Sequence, residues 1–260
     1  MESVTLRKVA LVVEYDGTRY AGFQVQADAP TIQGELERAI ARLTLSDARV
    51  YGAGRTDSGV HAMGQVVAFS TSSTLPCDTL TRGLSHFLPA DIAVKAAYDV
   101  PSTFDPRRQA HSRVYRYTFL PRVTPSPLQE RYAYRVAESL DDEAMGVALR
   151  LLNGTHDFAM LTGTVAAGKS TVRNVYATRL WGEEDLVRFE VEANAFLPHQ
   201  MRRIAGLLLA VGRGRLSPEG VCSVLDGHAD LQHMQPVSTL PPKGLCLMQV
   251  NYKDFPFNGY

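Results

Sequence analysis

The chain has 260 residues, 45% of them hydrophobic, and its 27 basic and 27 acidic side chains leave a formal net charge of zero. That length supplies one large domain or two modest ones, and the neutral balance excludes a uniformly basic coat for nucleic acid. Cys77, Cys222 and Cys246 are dispersed and never form a Cys-x-x-Cys pair, which excludes a disulfide framework and a cysteine zinc site and fits a reducing cytosol. The N-terminal run lacks a signal-peptide layout, and the apolar run Leu207 to Val211 is far too short to span a membrane. A soluble cytoplasmic protein without membrane contact is expected.

In chain order, Val9 to Val13 is continuously apolar and β-branched, which predicts a central strand. Tyr15 to Tyr20 follows as a polar turn. Thr31, after Pro30, suits the N-cap of a helix with Ile32, Leu36, Ile40 and Leu43 on one face. Two β-like runs come next, Arg49 to Ala53 and Gln65 to Ser70. Leu80, Leu84, Phe87 and Leu88 mark a second helix, and Ile92 to Val100 a closing strand. The order is β-α-β-β-α-β.

Pro101 to Ser112 reads as a linker, and Val114 to Leu120 as a strand. Ser139 with Asp142 resembles a capping box for a helix through Met145, Leu149 and Leu152. Strands over Val172 to Trp181 and Leu186 to Val191 precede a helix from Arg202 to Gly212. A short helix near Pro218 to Leu225 and a strand from Cys246 to Tyr252 complete the chain. The order repeats with insertions. We read an α+β fold of two ferredoxin-like βαββαβ units, residues 1–107 and 108–260, forming an extended, mainly antiparallel sheet with a central cleft.

Between the two β-like runs of the first unit lies Gly54-Arg55-Thr56-Asp57-Ser58-Gly59-Val60-His61. A loop between strands lets a rigid sheet present one reactive side chain, and its glycines allow tight turning and close approach of a ligand. We read Asp57 as a nucleophile, with Arg55 placed to hold negatively charged substrate. An ordinary turn whose carboxylate bonds nearby backbone would use the same residues.

Other motifs fail on context. Gly163 to Ser170 matches the phosphate-binding P-loop pattern, which needs a buried strand before it and a helix after it. Thr171 to Thr178 is instead rich in β-formers, so a flexible basic loop is expected and no nucleotide cofactor. Asp57 and His61 are four apart, but Gly59 interrupts them and a third ligand is missing, so no metal is expected.

Of the 27 cations, 22 are arginine, suited to planar contacts with phosphate and to stacking on bases. They gather in three patches: Arg107 to Arg122, Lys169 to Arg179, and Arg202 to Arg215. A neutral chain can thus carry a local electrostatic footprint. Tyr115 and Tyr117 share one face of their strand, opposite Arg116; core packing accounts for one of them, and an aromatic beside a groove could stack on a base. Arg202 and Arg203 open a helix whose other face, Ile204, Leu207, Leu208 and Val211, is core. An arginine buried there would need a carboxylate partner, and Asp57 is the candidate. The patches alone would also suit an RNA-binding module without catalysis.

These blocks together resemble the TruA-type tRNA pseudouridine synthases. The resemblance runs through Tyr15-Asp16-Gly17-Thr18, Gln24-Val25-Gln26, Thr31-Ile32-Gln33, Gly54 to His61, Tyr115-Arg116-Tyr117, Asn194 to Arg202 and Lys243-Gly244-Leu245. Phe23 stands where the family usually has tryptophan, Pro198 where it often has histidine, and Leu161 where an aromatic is usual. The resemblance implies isomerisation of uridine to pseudouridine at positions 38, 39 and 40 in the anticodon arm of tRNA. It implies a homodimer binding tRNA across both subunits, with no cofactor or metal. By residue it implies that Asp57 is the nucleophile, Tyr115 the aromatic stacking on the target uracil, and Arg202 the partner of the catalytic carboxylate. Arg55 would help displace the base, and Leu245 would form an apolar wall.

Overall fold

The structure, a computed structural model, describes residues 6–227, 238–255 and 257. The first part of the chain forms β1 (Arg7–Tyr15), α1 (Ile32–Thr44), β2 (Tyr51–Gly52), β3 (His61–Thr71), α2 (Cys77–Phe87) and β4 (Ile92–Val100). The second forms β5 (Ala110–Pro121), β6 (Tyr134–Val136), α3 (Asp142–Arg150), β7 (Gly154–Asp157), β8 (Val172–Glu183), β9 (Leu186–Ala193), α4 (Gln200–Gly212) and α5 (Gly220–Leu225). Strand β10 (Leu245–Tyr252) follows. These elements make two compact units: Met1–His111 with Leu247–Tyr260, and Ser112–Cys246. The sequence pattern alone divides the chain between residues 107 and 108 and assigns all of β10 to the second unit.

In the first unit β1 is central, paired antiparallel with β3 on one side and β4 on the other. That position accounts for its unbroken apolar run, because Val9 to Val13 is buried on both faces. β2 lies along the other edge of β3, opposite Val67 and Ala68, and gives the 4-1-3-2 order of a ferredoxin-like unit. β10 also borders β3. The Tyr252 hydroxyl donates to the Pro106 carbonyl at 2.6 Å, and its ring packs with Phe104, Phe255 and Phe257. These contacts explain why the closing segment belongs here.

Helix α1 begins where the sequence predicts: Thr31 is extended and its hydroxyl accepts the Gly34 N–H at 3.2 Å. Leu36 and Ile40 are fully buried. A Cβ on Gly83 would come within 2.8 Å of the Leu43 side chain, which would have to shift, so glycine here favours the close approach of α1 and α2.

β2 is shorter than its β-like composition predicts, and the cause is α1. The Val50 N–H donates to Glu37 Oε1, and the Val50 carbonyl accepts from Gln33 Nε2, each at 3.0 Å. Side chains of the helix take the backbone groups that a longer strand would have paired. β3 starts earlier than predicted, directly at His61.

In the second unit the order β5-β9-β8 is again the 1-3-2 core of a ferredoxin-like unit, with β7 added at the edge of β8 and β6 running parallel beside β5. Tyr117, Phe119 and Phe189 form an aromatic core stack, all fully buried. Helices α3 and α4 pack together, with α3 also against β8. The cap of α3 differs from the sequence reading. Asp141, not Ser139, is the N-cap, and its Oδ1 accepts the Ala144 N–H at 2.9 Å.

The P-loop pattern ends at Ser170 and is followed by β8, an extended strand, not by a helix. No helix N-terminus is therefore available to hold phosphates there. No helix among the described residues is long and apolar enough to cross a membrane, and no metal-ligand cluster occurs among them.

Removing the cap of α1 tests this account of the first unit. Thr31→Ala should lower unfolding free energy by about 1 kcal/mol, read as a lower urea midpoint at unchanged slope.

Candidate active site

The loop between β2 and β3 is fixed by its backbone. The Ala53 N–H donates to the Val66 carbonyl at 2.8 Å, and Gln65 Nε2 donates to the Gly54 carbonyl at 2.9 Å. Thr56 is buried, its hydroxyl 2.9 Å from the Tyr15 hydroxyl, and its carbonyl accepts the Phe23 N–H at 3.1 Å. The Val60 N–H returns to the Asp57 carbonyl at 3.2 Å, closing a turn in which Gly59 takes φ +78°. The Tyr20 carbonyl accepts both the Gly59 N–H and the Ser58 hydroxyl, at 3.3 and 3.1 Å.

Most of these partners come from one segment, residues 15–23, which lies against the loop at glycine distance. A Cβ on Gly17 would run into the Val60 carbonyl, and one on Gly22 would stand 2.8 Å from the Thr56 carbonyl. Gly22 also has φ +102°, a conformation that side chains other than glycine rarely adopt. The segment is itself anchored. Asp91 accepts the Tyr20 hydroxyl at 2.5 Å and the Arg19 Nε at 2.8 Å. Burial, followed by the bond to Asp91, raises the Tyr20 phenol well above its ordinary pKa, so it remains a donor. At the other end the Gly17 N–H donates to His61 Nδ1 at 3.2 Å, and that nitrogen lies 3.1 Å from Asp16 Oδ1. His61 is thereby a buried structural residue at the head of β3. Within the loop, Arg55 is exposed and Asp57 half-buried.

The second unit carries the other three residues singled out from sequence. Tyr115 sits on β5 opposite Val191, is 8% exposed, and meets Phe196 edge to face with ring centroids 4.9 Å apart. Tyr117, two residues on, is fully buried and donates its hydroxyl to the Pro241 carbonyl at 2.9 Å. Tyr117 is therefore the core aromatic of the pair. Arg202, in the first turn of α4, donates its Nε to the Leu240 carbonyl at 2.6 Å, and the Leu240 N–H returns to the Arg202 carbonyl at 3.2 Å. Burial pushes the Tyr117 phenol far above its ordinary pKa, and the Arg202 guanidinium opposes that rise. Leu245 is 5% exposed, directly after Gly244, where a Cβ would stand 2.8 Å from the Tyr117 ring. Arg202, Tyr117 and the 240–245 segment thus form one packed group. Sequence reading missed Phe196 as the neighbour of Tyr115, and Asp91 as the anchor of the clamp. Neither carries a local signal, since each acts through a contact distant in sequence.

Two ferredoxin-like units, one presenting an arginine and a carboxylate on a clamped loop between strands, define an α+β protein. The family model described as tRNA pseudouridine synthase matches residues 11–107 and 148–253. The tRNA pseudouridine synthase A of Citrifermentans bemidjiense is 41% identical over 249 residues, covering 96% of this chain and 99% of that one. That of Geobacter sp. (strain M21) is 42% identical over 249 residues, 96% and 100% of the two chains. The Myxococcus xanthus protein of that name is 41% identical over 250 residues, 96% and 93%. A chain in the crystal structure of the archaeal box H/ACA sRNP Nop10-Cbf5 complex is similar over 78% of this chain, with 12% identity and a TM-score of 0.36; the matched part spans 43% of that chain. The chain belongs to the tRNA pseudouridine synthase family.

The clamp makes a specific demand at Gly22. Gly22→Ala should destabilise the protein by about 1–3 kcal/mol in urea unfolding, through its left-handed φ and the Thr56 carbonyl. Gly168, also at positive φ but with nothing near its Cβ direction, should lose less on the same change.

Proposed function

We propose that this protein isomerises uridine to pseudouridine at positions 38, 39 and 40 of the tRNA anticodon arm, with Asp57 as nucleophile. Membership of the family gives the reaction class, isomerisation of tRNA uridine. The observation that supports Asp57 is the loop itself: backbone groups of Ala53, Gly54, Thr56 and Gly59 are hydrogen-bonded to neighbouring segments, while Arg55 is exposed and Asp57 half-buried.

Uridine and pseudouridine contain the same atoms. The bond from ribose C1′ to N1 breaks, the uracil turns, and a bond from C1′ to C5 forms. The hydrogen on C5 is lost to solvent, and N1 gains a proton. A carboxylate suits this sequence because it can add covalently to the target nucleotide and leave again once the new bond is made. The target must first leave the base stack, at a cost of a few kcal/mol. In this proposal Arg55 fills the gap and Tyr115 stacks on the extruded uracil, worth about 1–3 kcal/mol. Arg202 serves as positive partner of the catalytic carboxylate and Leu245 as an apolar wall. The reaction so written uses side chains alone, without metal or cofactor. The working form is a cytoplasmic homodimer that takes one tRNA across both subunits, as the family resemblance implies.

Tritium release from tRNA labelled at uracil C5, with mapping of the modified positions, tests the reading. Asp57→Asn should slow release by about 10³-fold or more while tRNA affinity stays near that of the parent; full turnover by the variant would remove Asp57 from its role. Tyr115→Ala should cost more in turnover than in affinity, and an equal loss in both would make Tyr115 a positioning residue. Pseudouridine outside positions 38–40 would overturn the assigned site in tRNA.

A further inference from the structure

The first unit contains an open cavity of about 510 Å³ on the Arg55 side of the loop. Asp57 is not part of its wall. Lys8, Arg49, Arg55 and Arg107 line it, against a single acid, Asp105. Four cations facing one carboxylate are out of proportion on a chain whose 27 basic and 27 acidic residues balance.

The partners of Lys8, Arg49 and Arg55 leave most of this positive charge uncompensated. Asp105 is held by the backbone N–H groups of Arg107 and Arg108, each at 2.9 Å, which together with nearby cations outweigh burial and set its carboxyl below the ordinary pKa. Lys8 Nζ donates to the Ser102 carbonyl, a neutral acceptor, at 3.1 Å. Arg49 reaches Glu37 only at 3.5 Å and stays more than half exposed, a geometry that contributes little. Arg55 has no ion-pair partner among the described residues.

Next to these cations stands Tyr51 on β2, 60% exposed. Its backbone is paired to Ala68 of β3, so the ring is carried on a rigid strand rather than on a loop. An exposed aromatic among arginines is the combination that binds single-stranded nucleic acid, the cations taking the phosphate and the ring taking a base face. The volume lies within the range of small-ligand sites and exceeds what a bare phosphate needs.

We propose that this cavity is a nucleotide subsite for the RNA strand flanking the target uridine: Arg49, Lys8 and Arg107 hold a backbone phosphate, the base lies on Tyr51, and Arg55 forms the side shared with the reactive loop. The inference rests on the tRNA reading above and adds to it a second point of strand attachment. It also gives a physical purpose to placing an arginine two residues from the nucleophile. One loop then connects the strand-holding cavity to the carboxylate, so that seating the neighbouring nucleotide sets the position of the target.

The test measures tRNA affinity of the full-length protein at several salt concentrations, with steady-state tritium release in parallel. Tyr51→Ala should weaken binding about tenfold and Tyr51→Phe should restore it, because a phenyl ring also stacks. Arg49→Ala should reduce the slope of log affinity against log salt by about 0.7 to 0.9, the loss of one phosphate contact. In both variants KM should rise more than kcat falls. Parent-like affinity and slope in both Tyr51→Ala and Arg49→Ala would overturn the subsite. Titration with uridine 5′-monophosphate separates the alternative source of the same chemistry: micromolar binding lost in Arg49→Ala, with tRNA affinity unchanged, would make this a free-nucleotide site and overturn the RNA assignment. Failure of the parent to release tritium would remove the isomerase reading, whereas turnover by the parent with unaltered variants removes only the subsite.

Discussion

The constraint on which the first unit depends is the accounting of backbone hydrogen bonds around the Arg55–Asp57 loop. A loop cannot be both buried at its base and unsatisfied, since each orphaned polar group costs about 1–3 kcal/mol. Here Gln65, Phe23, Tyr20 and Val66 supply partners for Gly54, Thr56, Ser58, Gly59 and Ala53. Gly17 and Gly22 let the clamping segment come close enough for these bonds to form. The result is a loop whose main chain is tied to the sheet beside it. A main chain held in this way limits the positions open to the side chains it carries.

The same accounting redistributes the cations. Sequence alone groups Arg113, Arg116 and Arg213 with the basic patches, yet the structure gives each a structural task. Arg113 donates to the Asn194 carbonyl at 2.8 Å. Arg116 reaches Glu190 through two nitrogens and lies over Trp181, and Arg213 pairs with Glu138. The cavity cations instead come from four separated places, residues 8, 49, 55 and 107. A linear census of charge therefore overstates the footprint in the second unit and groups only Arg107 of the four cavity cations. Clustering in sequence and clustering in space are different quantities on a sheet, where neighbours are set by strand order.

What was legible in the sequence follows a similar physical division. Long elements with a continuous or periodic apolar pattern were visible, because β1, α1 and α4 owe their existence to burial of those very residues. The ferredoxin-like order of both units followed from them. β6 and β7 have three and four residues, too few for a period to show. The cap of α3 was misplaced because Ser139, Asp141 and Asp142 all suit an N-cap, and only the backbone conformation chooses Asp141. The loop motif was legible as a glycine-flanked turn between strands, but its clamp was not. Asp91 acts on the segment 15–23 through a contact about 70 residues distant, and no local pattern encodes it.

The pair Tyr115 and Tyr117 shows how far a periodicity argument reaches. Alternation places both rings on one face of β5, and it cannot distinguish them. The difference arises from what arrives beside each ring. Tyr117 meets Gly244, whose missing side chain lets the 240–245 segment lie against the ring, and its hydroxyl is used up on the Pro241 carbonyl. Tyr115 meets the edge of Phe196, part of the loop that leads into α4, and keeps 8% of its surface. A ring satisfied on every side can only be core. The glycine at 244 thus sets Tyr117 apart as the fully enclosed ring of the pair.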